Sequence, residues 1–259
     1  MARLEKILYY PIKSLGGQEV DFCNIKNNRI VYDRIFAFKF SNKSMQNDNL
    51  WQSKNNFLTL SNTPMLTHFK STWDPIKRNL SIYRNEMNII TINLNDERAR
   101  IENLITDLVS AFELNPFNNN SQRKPLILVG DGCNFYQDNV SGYVSLHNNA
   151  SKRDIEKKLG EDISNKRFRS NLIIDGLYEW EEFNFIGNKI RIGECEFYAK
   201  KIIPRCIAIN ANPINGLTDI NLLKSLVDIN FMPEPSFGIS LEHLGVGDVL
   251  NVGDSVELV

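Results

Sequence analysis

Cysteine is scarce in this chain of 259 residues, which has four: Cys23, Cys133, Cys195 and Cys206. So few thiols, spread so widely, exclude a disulfide-stabilised scaffold. No two of them have the C-x₂-C spacing of a zinc site, and their spacing cannot hold an iron–sulfur cluster. Any redox chemistry in this protein would therefore need a separate source of electrons.

An excess of charge of either sign is also missing. Lys and Arg number 30 against 31 Asp and Glu, so the net charge is −1. Nucleic-acid binding usually needs a strongly basic face, and this composition gives it no support. No glycine-rich loop has the spacing of a dinucleotide or nucleotide-phosphate site. An anionic ligand would have to be held by a local group of basic side chains.

Long apolar runs are absent as well. No run approaches the roughly 18 residues of a membrane span, and the chain is 42% hydrophobic and 24% charged, as in an ordinary globular protein. The first residues make a poor signal peptide, because Lys6 and Lys13 bracket the apolar stretch and Tyr9-Tyr10-Pro11 replaces a small-residue cleavage site. We expect a cytoplasmic protein with no membrane span.

Short runs rich in β-branched and aromatic residues predict strands over much of the chain. The predicted strands cover residues 4–10, 22–25, 34–40, 80–94, 126–129, 143–146, 172–174, 189–192, 194–203 and 206–209. Helices are predicted at residues 97–113, 150–159 and 222–226, with Ser151 as the N-cap of the second. The fold class we predict is α+β and β-rich, a β-barrel with a few helices.

A polar segment with a run of asparagines follows the first predicted helix and predicts a linker. We therefore divide the chain into an N-terminal β-rich region at residues 1–115, a linker at residues 116–124 and a barrel domain at residues 125–259. The strands within residues 1–34 are expected to complete the barrel and its ligand site, with the rest of the N-terminal region as a subdomain between.

Four separated fragments carry residues that could perform chemistry, and each has an ordinary alternative. Lys13 could be a solvated turn residue. Asp33 and Arg34 could form a surface ion pair. Arg167 and Arg169, at alternating positions, could lie on one solvated strand face.

The fourth fragment contains Cys206 directly after Arg205. A positive neighbour favours the thiolate, which is the form that acts as a nucleophile or a metal ligand. The alternative is a small buried hydrophobe inside a strand. Cys195 fits that alternative, because it alternates with apolar residues on a core face, and Cys23 and Cys133 have no basic neighbour and are interpreted as structural.

The remaining titratable residues give weaker signals. His68, His147 and His243 are isolated in sequence and have no metal-ligand spacing, so we expect them to be structural. Glu181 and Glu182 are adjacent, and adjacent residues in a strand point to opposite faces. A shared acid–base pair is therefore not predicted for them.

Taken in order, the fragments resemble the MOSC family, which is named for the C-terminal domain of molybdenum cofactor sulfurases. The similarity is greater to the two-part members with a β-rich N-terminal region, the group that includes the mitochondrial amidoxime-reducing component. Residues 10–14 resemble the family's Y-P-[VI]-K-S, Asp33-Arg34 its D-R, residues 168–171 its F-R-x-N, and Arg205-Cys206 with Asn212-Pro213 and Gly216 its R-C…[DN]-P-x-T-G. The matches run from residue 4 to residue 258.

In the amidoxime-reducing members a molybdenum atom is held by the dithiolene of a pterin phosphate. The resemblance implies that Cys206 supplies the protein thiolate to this metal, and that Arg205 favours the thiolate and lines the site. It also implies that the phosphate and the pterin are bound by Lys13, Ser14, Arg34, Arg169 and Asn171. Convergent Lys, Arg and hydroxyl donors are what an anionic phosphate requires. Ser151, where the family has an Ala-Ser pair at a helix start, would add the N-terminus of that helix to the cofactor site.

The function that the resemblance implies is a molybdenum-dependent oxidoreductase that reduces small N-hydroxylated substrates. Its electrons would come from a separate donor, a reductase chain of the ferredoxin, flavin or haem type. An alternative from a different class is a non-catalytic carrier of sulfur or of the cofactor, in which Cys206 forms a persulfide or a metal thiolate. A third alternative is a barrel that has lost its ligand. Asn215 replaces the family's Thr, and Pro204 replaces a small polar residue, which leaves the substrate open.

Overall fold

The computed structural model describes residues 1–41, 51–111 and 125–259. Its strands are β1 (Ala2–Tyr9), β2 (Gln18–Val20), β3 (Phe22–Lys26), β4 (Arg29–Ile30), β5 (Ala37–Phe40), β6 (Phe69–Asp74), β7 (Asn79–Arg84), β8 (Met87–Asn93), β9 (Leu126–Val129), β10 (Val144–Asn148), β11 (Leu172–Asp175), β12 (Lys189–Ile192), β13 (Cys195–Pro204), β14 (Ser236–His243), β15 (Val249–Asn251) and β16 (Ser255–Leu258). Its α-helices are α1 (Arg98–Ser110), α2 (Asn149–Leu159) and α3 (Leu222–Asn230). Short 3₁₀ helices cover Lys54–Asn56, Pro64–His68, Asn165–Arg167, Glu181–Phe185 and Ile207–Asn210.

Two predictions concern the whole length of the chain. The linker predicted at residues 116–124 lies outside the described residues. Within the described ranges, every helix is too short or too polar to cross a membrane.

Seven strands close into a β-barrel in the order β11, β10, β14, β13, β12, β16 and β1, and β1 pairs back with β11. All of these pairings are antiparallel except that of β10 with β11. β2 extends the sheet beyond β1. The first strand of the chain therefore closes a barrel whose other strands come from its second half. The predicted β-rich α+β fold, a barrel with a few helices, is confirmed.

Alternation along the barrel strands sends every second side chain inward. On β13, Cys195, Phe197 and Ala199 are fully buried, and the residues between them are only partly so. They join one apolar core with inward residues of β1, β11, β12 and β14. Cys195 is thus a core residue, as its alternation predicts, and burial raises the pKa of its thiol to about 11.

A second apolar core fills the N-terminal subdomain, which lies in sequence between β4 and β10. β5 pairs with β9, and β6, β7 and β8 form a three-stranded meander. Helix α1 packs its buried face, Ile101, Ile105 and Val109, onto this core. The helix predicted at residues 97–113 is confirmed as α1, with residues 112–113 outside the described part of the chain.

Strand is confirmed for residues 80–84 and 87–93, and only the continuity of the segment predicted at residues 80–94 is wrong, because it forms the hairpin of β7 and β8. Asn85 and Glu86 form its two-residue turn, with φ of 49° and 62°. Positive φ at both central residues is what a tight hairpin turn requires. Strand-forming residues on both sides of the turn concealed it in the sequence.

The strand predicted at residues 206–209 is also wrong. β13 ends at Pro204, which lies opposite Ser236 and has no N–H to continue the ladder. The chain leaves the sheet there, and Ile207–Asn210 forms a 3₁₀ helix. Cys206 therefore lies just past the end of the sheet and not within a strand.

Candidate functional site

An open cavity of about 630 Å³ lies between the barrel and the N-terminal subdomain. Seven of the residues that the sequence predicts for a site line it: Lys13, Ser14, Arg34, Arg169, Asn171, Arg205 and Cys206. They lie on the connections that follow β1, β4 and β13 or precede β11. The ends of the barrel strands therefore hold side chains that are far apart in sequence around one opening.

Two guanidinium groups stack on the buried ring of Tyr10. The guanidinium carbon of Arg34 lies 4.6 Å from the ring centroid and that of Arg169 lies 4.3 Å from it. Arg34 also donates from Nη2 to the carbonyl of Arg169 at 3.0 Å and pairs with the carboxylate of Asp33. The surface ion pair considered for Asp33 and Arg34 is wrong, because Asp33 is 1% exposed. Cation–π attraction and Asp33 together hold two like charges side by side.

Lys13 is the third cation of the cavity and is 6% exposed, so it is not a solvated turn residue. Its Nζ donates to the carbonyl of Tyr136 at 2.8 Å and pairs with Asp138. Burial lowers the pKa of Lys13, and Asp138 offsets part of that effect. Asp138 is a site residue that sequence reasoning missed, since it has no basic neighbour in sequence and only the fold brings it to Lys13.

Three residues of the cavity wall have a left-handed backbone. The φ angle is 72° at Ser14 and 53° at both Arg34 and Arg169. For residues with a side chain this conformation costs roughly 1–2 kcal/mol, and it persists where the surrounding structure enforces it, often at functional sites. The carbonyl of Tyr10 accepts from the backbone N–H of Arg34 at 2.7 Å, which helps to fix this conformation.

Arg169 leaves one of its donors unused. Its Nη1 donates to the carbonyl of Leu15 at 2.7 Å, whereas its Nη2 is buried without a hydrogen-bond partner among the described residues. Burial lowers the pKa of Arg169 to about 10, and the neighbouring charge of Arg34 adds to the effect. A buried donor without an acceptor costs about 1–3 kcal/mol. The cavity wall therefore contains a charged guanidinium whose hydrogen-bonding capacity is only partly used.

The opposite wall of the cavity carries the thiol. Cys206 is exposed, and its Sγ lies 3.6 Å from Oγ of Ser61 in the N-terminal subdomain. The thiol therefore faces the gap between the two parts of the protein and is open to a ligand. The alternative of a buried structural cysteine is wrong for Cys206.

Arg205 turns its guanidinium into the wall beside the thiol. It donates to the carbonyls of Phe168, at 2.8 Å from Nη1, and of Phe237, at 2.8 Å from Nε. Burial lowers the pKa of Arg205 to about 10. Gly238, at φ 71°, leaves room here, since a Cβ would lie 2.4 Å from the carbonyl oxygen of Leu146 and 3.3 Å from Nη2 of Arg205.

The second half of the chain matches a known family. Residues 137–257 match the family model of the MOSC domain. Residues 137–257, just under half of the chain, are named the MOSC domain after this match. The resemblance to the MOSC family that the sequence motifs indicate is therefore confirmed, and the matched residues include Asp138, Arg169, Arg205 and Cys206.

Two solved structures are also similar to this chain. YiiM from Geobacillus stearothermophilus is 17% identical over 45% of this chain and 53% of that chain, with a TM-score of 0.34, so the match spans about half the length of YiiM. The YUAD protein (APC1665) from Bacillus subtilis is 12% identical over 99% of this chain and 94% of that chain, with a TM-score of 0.45. No curated protein sequence matches this chain.

Within the MOSC domain, Asn171 lines the cavity but uses its amide internally. Its Oδ1 accepts from Oγ of Ser145 at 2.8 Å, and its Nδ2 donates to the carbonyl of Leu8 at 3.1 Å. These bonds connect β1 to the segment that precedes β11. Asn171 therefore stabilises the wall of the cavity, and its side chain has little hydrogen-bonding capacity left for a ligand.

Ser151 lies elsewhere in the MOSC domain and does not line the cavity. It is fully buried; its Oγ donates to Oε2 of Glu182 at 2.7 Å and accepts from the backbone N–H of Trp180 at 2.7 Å. The N-cap of α2 is Asn148, whose side chain accepts from the N–H of Ala150. The cofactor contact and the N-cap position expected for Ser151 are therefore corrected: the helix starts earlier and turns this hydroxyl inward.

Potential metal ligands are sparse in the part of the chain that the structure describes. The described residues contain no group of three or more His, Cys, Asp and Glu side chains that could hold a metal ion. His147 is buried, contacts Oδ1 of Asn165 at 2.9 Å and has its pKa lowered by burial to about 3. The exposed Cys206 thiol is the cavity's candidate for a single protein ligand.

Proposed function

We propose that this protein binds a molybdenum–pterin cofactor in the cavity and reduces small N-hydroxylated substrates there. The observation that carries the proposal is the meeting of three cations and one exposed thiol at a single opening: Lys13, Arg34, Arg169 and Cys206. An anionic group and a thiolate-binding metal are the two ends of such a cofactor.

The residues present fit this cofactor in charge and in size. Among the described residues that line the cavity, the cations outnumber the one carboxylate, Asp138, although the chain as a whole has a net charge of −1. Charge-assisted bonds from Lys and Arg are the strong bonds to a phosphate. The cavity volume of about 630 Å³ falls within the roughly 300–1,000 Å³ that is usual for sites of small molecules and cofactors.

Each side chain has a definite task in this proposal. Lys13, Ser14, Arg34 and Arg169 would bind the phosphate and the pterin, and Cys206 would ligate the metal as a thiolate. When bound, the cofactor supplies a two-electron redox centre. Arg205 holds the backbone on one side of the thiol through its bonds to Phe168 and Phe237. Electrons would come from a separate protein of the ferredoxin, flavin or haem type, because the cysteine spacing cannot hold a cluster.

The exposure of Cys206 also supports a second candidate function, that of a carrier. Cys206 would then attack a donor persulfide, form its own persulfide bond and release the donor as a thiolate. Alternatively, it would carry the metal thiolate without turnover. Both tasks need a thiol that another protein can reach.

The experiment that tests the proposal compares the parent with Cys206→Ser, both isolated from cells that make the cofactor. A hydroxyl cannot replace a thiolate ligand without changing the metal site, whereas an exposed substitution changes stability little. We expect the variant to fold normally and to lose reduction of N-hydroxylated amidines, while Cys133→Ser and Cys195→Ser keep it. Molybdenum, pterin and turnover with an added electron donor are measured together.

The outcomes separate the two candidate functions. Reduction by Cys206→Ser at the rate of the parent would refute the metal-ligand role. Molybdenum bound at full occupancy without turnover, whichever reductant is added, would favour the carrier.

A further inference from the structure

The short segment at residues 167–169 holds the chain on both sides of Cys206. Before the thiol, Arg205 donates to the carbonyl of Phe168 at 2.8 Å. After it, Arg167 donates from Nη1 to the carbonyl of Asn210 at 2.9 Å, at the end of the 3₁₀ helix that begins directly after Cys206. Two arginines thus hold the chain around the thiol: Arg205 extends from the thiol segment to residues 167–169, and Arg167 extends from residues 167–169 to the thiol segment.

Arg167 is itself fixed by a carboxylate of the loop that follows the thiol. Its Nη2 lies 2.7 Å from Oδ1 and 2.9 Å from Oδ2 of Asp219. The Arg167 side chain is 3% exposed, so the solvated strand face considered for it is wrong. Arginine–carboxylate contacts of this kind are strong and directional, and a buried arginine that loses its carboxylate is costly.

The loop between Cys206 and Asp219 has its own framework. The backbone N–H of Asn212 donates to the carbonyl of Leu217, and that of Gly216 donates to the carbonyl of Asn212. Thr67 of the N-terminal subdomain donates to the same Asn212 carbonyl at 3.0 Å. The loop is therefore held together by its own hydrogen bonds, and Arg167 is a buried charge that connects it to the segment before β11.

We propose that Arg167 and Asp219 form a positioning pair that sets where the Cys206 thiol lies in the cavity. Cys206 is exposed and has one long contact, to Ser61, so its own packing does not fix it. Its neighbours on the chain fix it instead. A displacement of about 1 Å is enough to weaken a ligand or a reacting group. The pair therefore determines whether the Cys206 thiol lies where one ligand can contact both the thiol and the cations of the cavity.

The first test uses the full chain without cofactor and follows alkylation of Cys206 by iodoacetamide. The variant is Asp219→Asn. The matched control is Asp175→Asn, which removes the carboxylate from another two-bond pair, with Arg153, in a part of the domain that does not line the cavity. Cys133 is exposed and serves in every sample as the reference thiol.

The rate is measured by mass spectrometry up to a pH well above the ordinary thiol pKa of about 8.5. At that plateau all thiol is thiolate, so a change of local charge no longer acts through the thiolate fraction and has only the smaller effect on nucleophilicity, whereas a change in the exposure of the thiol still alters the rate in full. We expect Asp219→Asn to alkylate at Cys206 at least about three-fold faster than the parent at the plateau, because a loosened loop exposes the thiol to the reagent. Cys133 should be unchanged, and Asp175→Asn should match the parent.

Arg167→Lys is the second variant, since it keeps the charge and loses the planar fork. We expect the same direction of change at Cys206. Plateau rates at Cys206 equal to the parent in both variants, or an equal acceleration at Cys133, would overturn the positioning pair.

A second test rests on the proposed function and measures the loss of molybdenum during dilution of the loaded protein. We expect Asp219→Asn to lose metal about ten-fold faster than the parent. In a Cys206→Ser background, Asp219→Asn should not change the rate of metal loss, because a pair that acts through the thiol has no effect once the thiol is gone. Equal acceleration in both backgrounds would overturn the positioning pair. A parent that holds no molybdenum would instead overturn the proposed function, while the alkylation rates would still decide the role of the pair.

Discussion

Two groups of polar side chains differ in how completely they are paired. The cavity cluster consists of Tyr10, Lys13, Asp33, Arg34, Asp138 and Arg169. The α2 cluster consists of Asn148, Ser151 and Glu182. The cavity cluster holds three cations against two carboxylates beside an open cavity. The α2 cluster holds one carboxylate among neutral donors and lines no part of that cavity.

The difference shows what separates a binding site from an internal framework. An excess of fixed charge and an unused donor on Arg169 leave the cavity cluster with capacity for an anion. In the α2 cluster the hydroxyl of Ser151 both donates and accepts, so its polar atoms stabilise the fold and have little left to bind with. A serine in a family motif can therefore belong to a binding site, as proposed for Ser14, or to an internal framework, as Ser151 does.

The largest effect is expected from Arg169→Ala, which removes a charge from the cavity cluster. Loss of one partner from a buried charge-assisted bond costs roughly 2–5 kcal/mol, so the affinity for the cofactor should fall at least about thirty-fold. Molybdenum and pterin content of the purified protein are the measurements, with Arg153→Ala as the control outside the cavity. Unchanged cofactor content in Arg169→Ala would show that the excess of positive charge in the cavity cluster is not what binds the cofactor.

The next effect is a change of stability with pH in Glu182→Gln. Burial raises the pKa of the Glu182 carboxyl from 4.5 to about 7. Between these two values the folded protein keeps a proton that the unfolded chain has lost. The stability that Glu182 contributes to the folded protein is therefore fully present below pH 4.5 and is lost as the pH rises through 7. Gln cannot ionise, so above pH 7 the variant should be the more stable protein, by at most about 3 kcal/mol.

Urea denaturation of parent and variant at a series of pH values measures this difference. His147 acts with the opposite sign, because burial lowers its pKa from 6.5 to about 3 and stability is lost as the pH falls through that range. Since His147 is present in both proteins, the difference between them isolates Glu182. A difference that does not vary with pH would contradict the assignment.

The smallest effect is expected from Ser151→Ala, which tests the α2 cluster as a framework. The substitution leaves the buried N–H of Trp180 without its acceptor and Oε2 of Glu182 without the hydroxyl donor. The free energy of unfolding should fall by about 1–2 kcal/mol, with the cofactor content unchanged. Ser14→Ala should show the reverse, with less cofactor and nearly unchanged stability. If both variants changed cofactor content and stability in the same way, the division into a binding cluster and a structural cluster would be wrong.

The barrel could be predicted from the sequence because its signals are local. Alternation on β13 and the apolar runs of β10 and β11 are visible within a few residues, and so is the helical spacing of α1. The site residues Lys13, Arg34, Arg169 and Cys206 could be proposed because their motifs occur in the order of a known family. The structure brings these four to one cavity.

Pairings between distant residues could not be predicted. Lys13 and Asp138 are 125 positions apart, and Arg167 and Asp219 are 52 apart, so no local pattern shows either pair. Ser151 was misplaced for a different reason. The N-cap, Asn148, lies three residues before it, and a shift of this size on a helix turns a side chain from an exposed first turn towards the interior.

The position of β1 in the barrel determines the order in which this protein can assemble. Arg3 contacts the carbonyl of Gly253, 250 positions away, and β1 joins β16 on one edge to β11 on the other. The buried residues in the apolar core of the N-terminal subdomain lie between positions 12 and 128, with Ala208 packed against them, so most of this core can form while the chain is still being synthesised. The barrel must wait for β16, because contacts between distant parts of a chain form late. Closure of the barrel is therefore a late folding event, because it requires β1 to pair with β16.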